Sequence, residues 1–66
     1  MSRTTRHKIL QQRDLIMHQF DRIMEHLQAI EDLADKRSRF ITEIMPYAVV
    51  LVDRCRDGMR DILSKL

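Results

Sequence analysis

The segment DLADKRSRF, residues 32–40, separates two long stretches of sequence in which apolar residues recur at helical spacing. Positions 35–38 within it are four consecutive polar residues. The last of them, Ser38, has a side chain suited to cap the N-terminus of a helix that begins at Arg39. The segment contains no glycine, although glycine often ends helices. We therefore predict a turn at about residues 35–38 that joins two helices.

The half of the chain before this turn has apolar residues that are alternately four and three positions apart. The series is Ile9, Arg13, Ile16, Phe20, Ile23, Leu27, Ile30 and Ala34. Arg13 is its one polar member. This spacing is typical of a helix that packs in a bundle. Because Leu10, Met17 and Met24 widen the apolar stripe, we expect this helix to have two neighbours rather than one.

The half of the chain after the turn repeats the same spacing. The series is Ile41, Met45, Ala48, Val52, Cys55, Met59, Ile62 and Leu66. Ile44 and Leu51 widen this stripe. Phe40, Tyr47 and Val50 lie outside it, so the centre of the helix is apolar on nearly all sides. Such a helix is typically buried, and a single neighbouring helix covers one side of it.

Together these patterns predict an all-α fold, an antiparallel helical hairpin with helices at about residues 5–34 and 39–65. Pro46 is expected to kink the second helix, because it lacks the N–H group that would complete the helical hydrogen bonds. Residues 1–5 are predicted to be a flexible basic tail. The whole chain, residues 1–66, is expected to form one oligomerisation domain.

Two other arrangements agree with parts of the pattern. A heptad continues through the polar segment, which would give one long kinked helix in a coiled coil. Its members are Ala34, Arg37, Ile41, Ile44, Ala48, Leu51 and Cys55. The second arrangement has its turn directly before Pro46, because proline suits the first turn of a helix and disfavours helix at the preceding residue.

Chain length favours self-association. The chain has 66 residues, and ordering each residue costs on the order of 1.5 kcal/mol, which a single small core barely offsets. We therefore expect a homodimer that forms a four-helix bundle, or a higher oligomer. The expected oligomer interface consists of Ile16, Phe20, Ile23, Leu27, Ile30, Ile41, Met45, Ala48, Val52, Cys55, Met59 and Ile62. Phe40, Tyr47 and Val50 would remain as a patch that binds another protein.

The sequence carries no catalytic or cofactor motif, so we expect a non-enzymatic adaptor, assembly subunit or regulator without a cofactor, small-molecule substrate or membrane partner. Asp14, His18, Asp21 and Glu25 have the spacing of a metal site, but they lie opposite the apolar stripe, and we expect an ordinary polar face there. The single Cys55 cannot form an internal disulfide and favours a reducing, cytoplasmic location. No apolar run approaches the roughly 18 to 20 residues that span a bilayer.

Charge is distributed unevenly along the chain. Residues 1–13 carry four basic side chains and no acidic one, whereas residues 14–35 carry one basic and six acidic side chains. Arg3, Arg6 and Lys8 lie where a helix would begin, and positive charge is unfavourable at that end of the helix dipole. Either the first residues form a loose tail, or this charge serves a partner, in which case these three residues are the candidate contacts to nucleic-acid phosphates. The alternative function is a helical-bundle regulator that binds RNA or DNA through this basic arm.

Overall fold

In the computed structural model, residues 2–66 are described and form two α-helices, α1 (Arg3–Ala34) and α2 (Arg39–Leu63). The helices pack against each other, and the segment 35–38 joins them, so the chain is an antiparallel hairpin. The predicted all-α hairpin and its turn are confirmed. Both alternative arrangements are excluded, because the helix stops at the turn and α2 continues across Pro46. The kink at Pro46 stays a prediction.

The first helix begins earlier than the sequence pattern indicates. Ser2 is its N-cap, and the Ser2 hydroxyl oxygen accepts a hydrogen bond of 3.2 Å from the backbone N–H of Thr5. Residues 3–5, which were predicted to belong to a flexible tail, therefore form the first turn of α1. Met1, the other residue of that predicted tail, lies outside the described residues. The cap satisfies a backbone donor that has no partner inside the helix, and this favours the longer helix.

The turn is made without glycine by two residues in the left-handed region. Asp35 has a φ of 45° and Lys36 a φ of 59°. The N–H of Asp35 donates to the carbonyl of Glu31 at 3.1 Å, and the N–H of Arg37 donates to the carbonyl of Ala34 at 2.8 Å. These bonds satisfy carbonyls at the end of α1, and they offset part of the steric cost that a side chain has at positive φ.

Ser38 caps α2 as predicted. Its hydroxyl oxygen accepts a hydrogen bond of 3.3 Å from the N–H of Ile41. Its carbonyl oxygen accepts from the N–H of Thr42 at 3.1 Å and from the Thr42 hydroxyl at 3.0 Å. These contacts fix the direction in which the chain leaves the turn, and so they set how α2 approaches α1.

The packed region between the helices is thin. Within residues 2–66, Met45 is the one buried side chain, with 4% of its surface exposed. Half-buried side chains occur along the length of α1 at Ile9, Leu10, Arg13, Met17, Phe20, Met24, Leu27 and Ala34. The radius of gyration is 16.1 Å, whereas a compact domain of this length has about 11 Å. The hairpin is therefore an elongated pair of helices whose outer surfaces are largely unshielded.

Candidate interaction surface

The isoleucine stripe of α1 lies beside the contact between the two helices rather than within it. Ile16, Ile23 and Ile30 remain 40%, 41% and 42% exposed. Met17 and Met24, which directly follow two of these isoleucines, are half-buried. The helix therefore turns its methionine edge toward α2 and leaves its isoleucine edge unshielded.

The second helix shows the same relationship between neighbouring residues. Ile44 and Leu51 are 40% and 63% exposed. Met45 and Val52, the residues that follow them, are buried and half-buried. An apolar edge of α2 is therefore also left uncovered, one residue position away from the contact with α1.

The two exposed edges lie on the same side of the hairpin. In each helix two exposed residues precede a contact residue by one position, which is a rotation of about 100° around the helix axis. The fifth exposed residue, Ile30, lies seven positions after Ile23 and so continues the same edge of α1. Because the two helices are antiparallel, the same rotation in the same sense brings both edges to one side. We call the resulting surface the composite apolar face. Its members are Ile16, Ile23, Ile30, Ile44 and Leu51.

The residues predicted as one oligomer interface are divided between two surfaces. Those that are buried or half-buried in the hairpin are Phe20, Leu27, Ile41, Met45, Ala48 and Val52. Those that are exposed are Ile16, Ile23, Ile30, Cys55, Met59 and Ile62. The sequence pattern treated Ile44 and Leu51 as margins of a stripe. Their position directly before Met45 and Val52, which repeats the order of Ile16 and Met17, is the signal that could have identified them.

The predicted partner-binding patch is exposed in full. Phe40, Tyr47 and Val50 all present most or about half of their surface to solvent. Phe40 and Tyr47 fall at steps of four and three residues with Ile44 and Leu51, so they extend the composite apolar face along the outer edge of α2. Val50 lies further round the helix. The patch is thus partly continuous with the face.

The hairpin brings the two basic ends of the chain together. Arg6 donates a hydrogen bond of 2.7 Å to the carbonyl oxygen of Leu66. Residues 2–13 and 54–66, which we call the open end, carry eight basic and two acidic side chains, a net charge of +6. Residues 14–53, which we call the turn end, carry four basic and eight acidic side chains, a net charge of −4. The molecule is therefore strongly polarised along its length.

Arg3, Arg6 and Lys8, the predicted phosphate contacts, are all exposed on the first turns of α1. The hairpin adds further cations to the same end of the molecule. These are Arg54, Arg56, Arg60 and Lys65. The basic surface is thus larger than the N-terminal arm that the sequence pattern indicates, because the end of α2 contributes to it.

The ion pairs within residues 2–66 join neighbours on one helix. They are Arg13–Asp14, Arg39–Glu43, Arg56–Asp53 and Arg60–Asp57. Such pairs, partly or fully exposed, each contribute about 0 to 1 kcal/mol. In the described part of the chain, no ion pair crosses between the helices, so their association depends mainly on the apolar contacts, beside the hydrogen bond between Arg6 and Leu66.

The turn region contains a cavity of about 470 Å³ between the two helices, lined mainly by polar and charged side chains that include Gln28, Asp32 and Lys36. Within the described residues, no three His, Cys, Asp or Glu side chains are gathered so that they could hold a metal ion. Neither α1 nor α2 is long and apolar enough to cross a membrane.

Comparison with known protein families, curated proteins and solved structures gives no match to this chain.

Proposed function

We propose that this chain is a small non-enzymatic assembly subunit, adaptor or regulator that acts by protein–protein interaction, beginning with self-association through the composite apolar face. The observation that carries the proposal is the continuity of this face across both helices. Single exposed apolar residues are common on proteins, whereas contiguous apolar patches mark interaction sites. The proposed assembly is a homodimer in which two hairpins form a four-helix bundle.

The accessible surface of one chain supports this proposal. It amounts to 5749 Å², whereas a compact monomer of 8.0 kDa exposes about 4,450 Å². The excess is about 1,300 Å², and a stable interface buries about 800 Å² from each partner. One hairpin therefore has enough surplus surface to form a dimer.

The thinness of the packed region supports it as well. With one buried side chain among residues 2–66, the hairpin gains little from its own apolar contacts compared with the entropy lost on ordering. A second hairpin on the composite apolar face would give each helix a second neighbour and shield isoleucine and leucine side chains from water. Fully burying one such side chain stabilises by about 1.5 to 3 kcal/mol.

An adaptor or regulator also needs a surface that remains free after self-association. Phe40 and Tyr47, at the outer edge of the composite apolar face, and Val50 beyond it supply such a surface for another protein. Aromatic residues are frequent anchors in protein interfaces. A cytoplasmic location is part of this proposal, because the exposed free thiol of Cys55 suits a reducing compartment.

The test is the mass of the chain in solution, measured by light scattering or sedimentation, together with its helical circular dichroism. The native chain is expected to have the mass of a dimer. Leu51→Asp, which introduces a charge into the composite apolar face, should shift the mass to that of a monomer and lower the helical signal. Leu15→Asp is the matched control, since Leu15 is 52% exposed and lies two positions before Met17, which places it on the side of α1 opposite the contact with α2 and outside the face. A native chain that stays monomeric at about 100 μM, or a Leu51→Asp chain that keeps the dimer mass, would overturn the proposal.

The open end supports a second candidate function, the binding of RNA or DNA. Eight basic side chains are brought to this end by the hairpin, and basic clusters bind phosphates with a steep dependence on salt. Binding should weaken as salt rises, and the triple variant Arg3→Gln, Arg6→Gln, Lys8→Gln should reduce both the affinity and the salt slope. The matched control removes three charges from the other end, at Lys36, Arg37 and Arg39. Equal effects of the two triple variants, or no binding at low salt, would reject this function.

A further inference from the structure

We infer that two copies of the chain pack face to face with their turns at opposite ends, so that α1 lies on α1 and α2 lies on α2. This inference rests on the proposed self-association. Two-fold symmetry allows two ways of joining the composite apolar faces. An axis along the hairpin would leave the turns at the same end, with α1 on the other copy's α2. An axis across the hairpin would put the turns at opposite ends.

The apolar series on α1 is symmetric about the middle of the helix. Ile9, Ile16, Ile23 and Ile30 are seven residues apart, and their midpoint falls between residues 19 and 20, close to the centre of Arg3–Ala34. When one copy is reversed, the same spacing recurs. Ile16 then lies opposite Ile23 of the second copy, and Ile9 lies opposite Ile30.

The exposed series on α2 has the same symmetry. Ile44, Leu51, Cys55 and Ile62 are separated by seven, four and seven residues, so their midpoint is residue 53. All four side chains are exposed. In a reversed second copy, Ile44 lies opposite Ile62 and Leu51 lies opposite Cys55. This assigns Cys55 a place inside the interface as a small apolar side chain.

The two midpoints lie at the same level of the hairpin. The hydrogen bond between Arg6 and Leu66 shows that residues at one level have numbers that add to about 72. The midpoint of the α1 series lies between residues 19 and 20, and the number of this position and that of residue 53 in α2 also add to about 72. A single two-fold axis across the hairpin can therefore pass through the midpoints of both apolar series. Two series with midpoints at different levels of the hairpin could not share one axis.

Charge favours the same arrangement. Within α1, residues 3–13 carry four basic side chains and no acidic one, whereas residues 14–34 carry one basic and five acidic side chains. With α1 antiparallel to α1 of the second copy, each basic segment faces an acidic one at the distance of 8 to 10 Å that separates packed helices. With the turns at the same end, the two open ends, each with eight basic side chains, would lie together and repel each other.

This arrangement also bears on nucleic-acid binding. The hairpin is 54 Å long, so the two basic open ends would lie at opposite poles of the dimer, each beside an acidic turn end. A phosphate backbone would meet two separate basic sites instead of one merged site. The alternative symmetry would merge them into a single strongly basic surface.

Cross-linking of single-cysteine chains tests the orientation, with Cys55→Ser as the common background. Chains carrying Ile44→Cys and Ile62→Cys are unfolded, mixed, refolded and oxidised, and a disulfide-linked dimer is expected because these positions face each other. The matched mixture of Ile44→Cys with Ile30→Cys should give little product, since these positions approach each other between copies when the turns lie at the same end. Efficient linkage in the second mixture and not in the first would overturn the orientation.

The native chain provides a second readout that needs no substitution. If oppositely charged ends lie together, the dimer dissociation constant should rise several-fold between about 50 and 500 mM salt, because screening weakens the attraction. A dissociation constant that falls as the salt concentration rises would indicate that ends of like charge lie together in the dimer, which would contradict the inferred orientation. A chain that is monomeric throughout would instead overturn the proposed self-association, so the two failures are distinguishable.

Discussion

Arg6 and Leu66, which are sixty residues apart in sequence, are joined by a hydrogen bond of 2.7 Å from the guanidinium to the carbonyl oxygen. The contact closes the open end of the hairpin, opposite the turn at residues 35–38. Because it connects α1 to Leu66, beyond the end of α2, it marks the register in which the two helices lie side by side. That register determines which apolar residues share a level on the composite apolar face.

Replacing Arg6 with alanine should loosen this end without unfolding the hairpin. The contact is exposed, and interactions of exposed charged groups contribute about 0 to 1 kcal/mol. We expect a small loss of global stability but faster amide exchange at residues 62–66, because local opening there becomes easier. Arg3→Ala is the control, since it also removes one positive charge from the N-terminal end of α1 but leaves the hydrogen bond to Leu66 in place. Equal exchange rates in the two variants would contradict the role given to Arg6.

Met45→Ala should destabilise the chain more than any other methionine substitution in the helices. Met45 is 4% exposed, whereas Met59 is 37% exposed. Truncating a buried methionine to alanine costs about 2 to 5 kcal/mol because a cavity remains, and a partly exposed one costs less. Urea unfolding followed by circular dichroism measures both variants, at one fixed protein concentration because the proposed assembly would contribute to stability. A larger loss of unfolding free energy for Met59→Ala would mean that the contact between α1 and α2 contributes less to stability than the surface containing Met59.

The hairpin itself could be predicted from the sequence because several local signals agree. The polar run at 35–38, the capping side chain of Ser38 and the helical period on both sides all indicate the same break. The beginning of α1 could not be predicted in this way. Three basic residues at a helix N-terminus argue against a helix there, and the contribution of Ser2 as a cap outweighs them.

The division of the apolar residues into two surfaces could not be read from the period. When three heptad positions are apolar, the stripe is wider than one helix contact, and the sequence does not say which edge meets the second helix of the same chain. Packing decides this: α1 turns Met17 and Met24 toward α2, and Ile16 and Ile23 are left outside. Methionine is flexible and fills irregular gaps between two helices, whereas the evenly spaced isoleucines form a regular outer edge.

Lys36→Gly should stabilise the hairpin through its turn. Lys36 has a φ of 59°, and a residue with a side chain loses about 1 to 2 kcal/mol in this conformation. Glycine avoids the steric cost but loses more entropy on folding, about 0.5 to 1 kcal/mol, so the expected net gain is about 0.5 to 1 kcal/mol. Lys36→Ala is the matched control, because it removes the charge and keeps the strain. The urea midpoint of Lys36→Gly should be higher than that of Lys36→Ala. Equal midpoints would show that any change in stability comes from the loss of the Lys36 charge and not from relief of its backbone strain.

Pro46→Ala should raise the free energy of unfolding. Pro46 lies within α2 and has no N–H, so the carbonyl of Thr42 lacks its helical donor, and proline in a helix interior costs about 3 kcal/mol relative to alanine. We expect a gain of about 1 to 3 kcal/mol, measured by urea unfolding at fixed concentration. Val50→Ala is the control, because it improves helix propensity on the same helix without restoring a hydrogen bond and should gain less than about 1 kcal/mol. An unchanged or lower stability for Pro46→Ala would mean that the chain needs the bend predicted at this proline, and the mass of the same variant in solution would then show whether the bend serves the assembly of two copies.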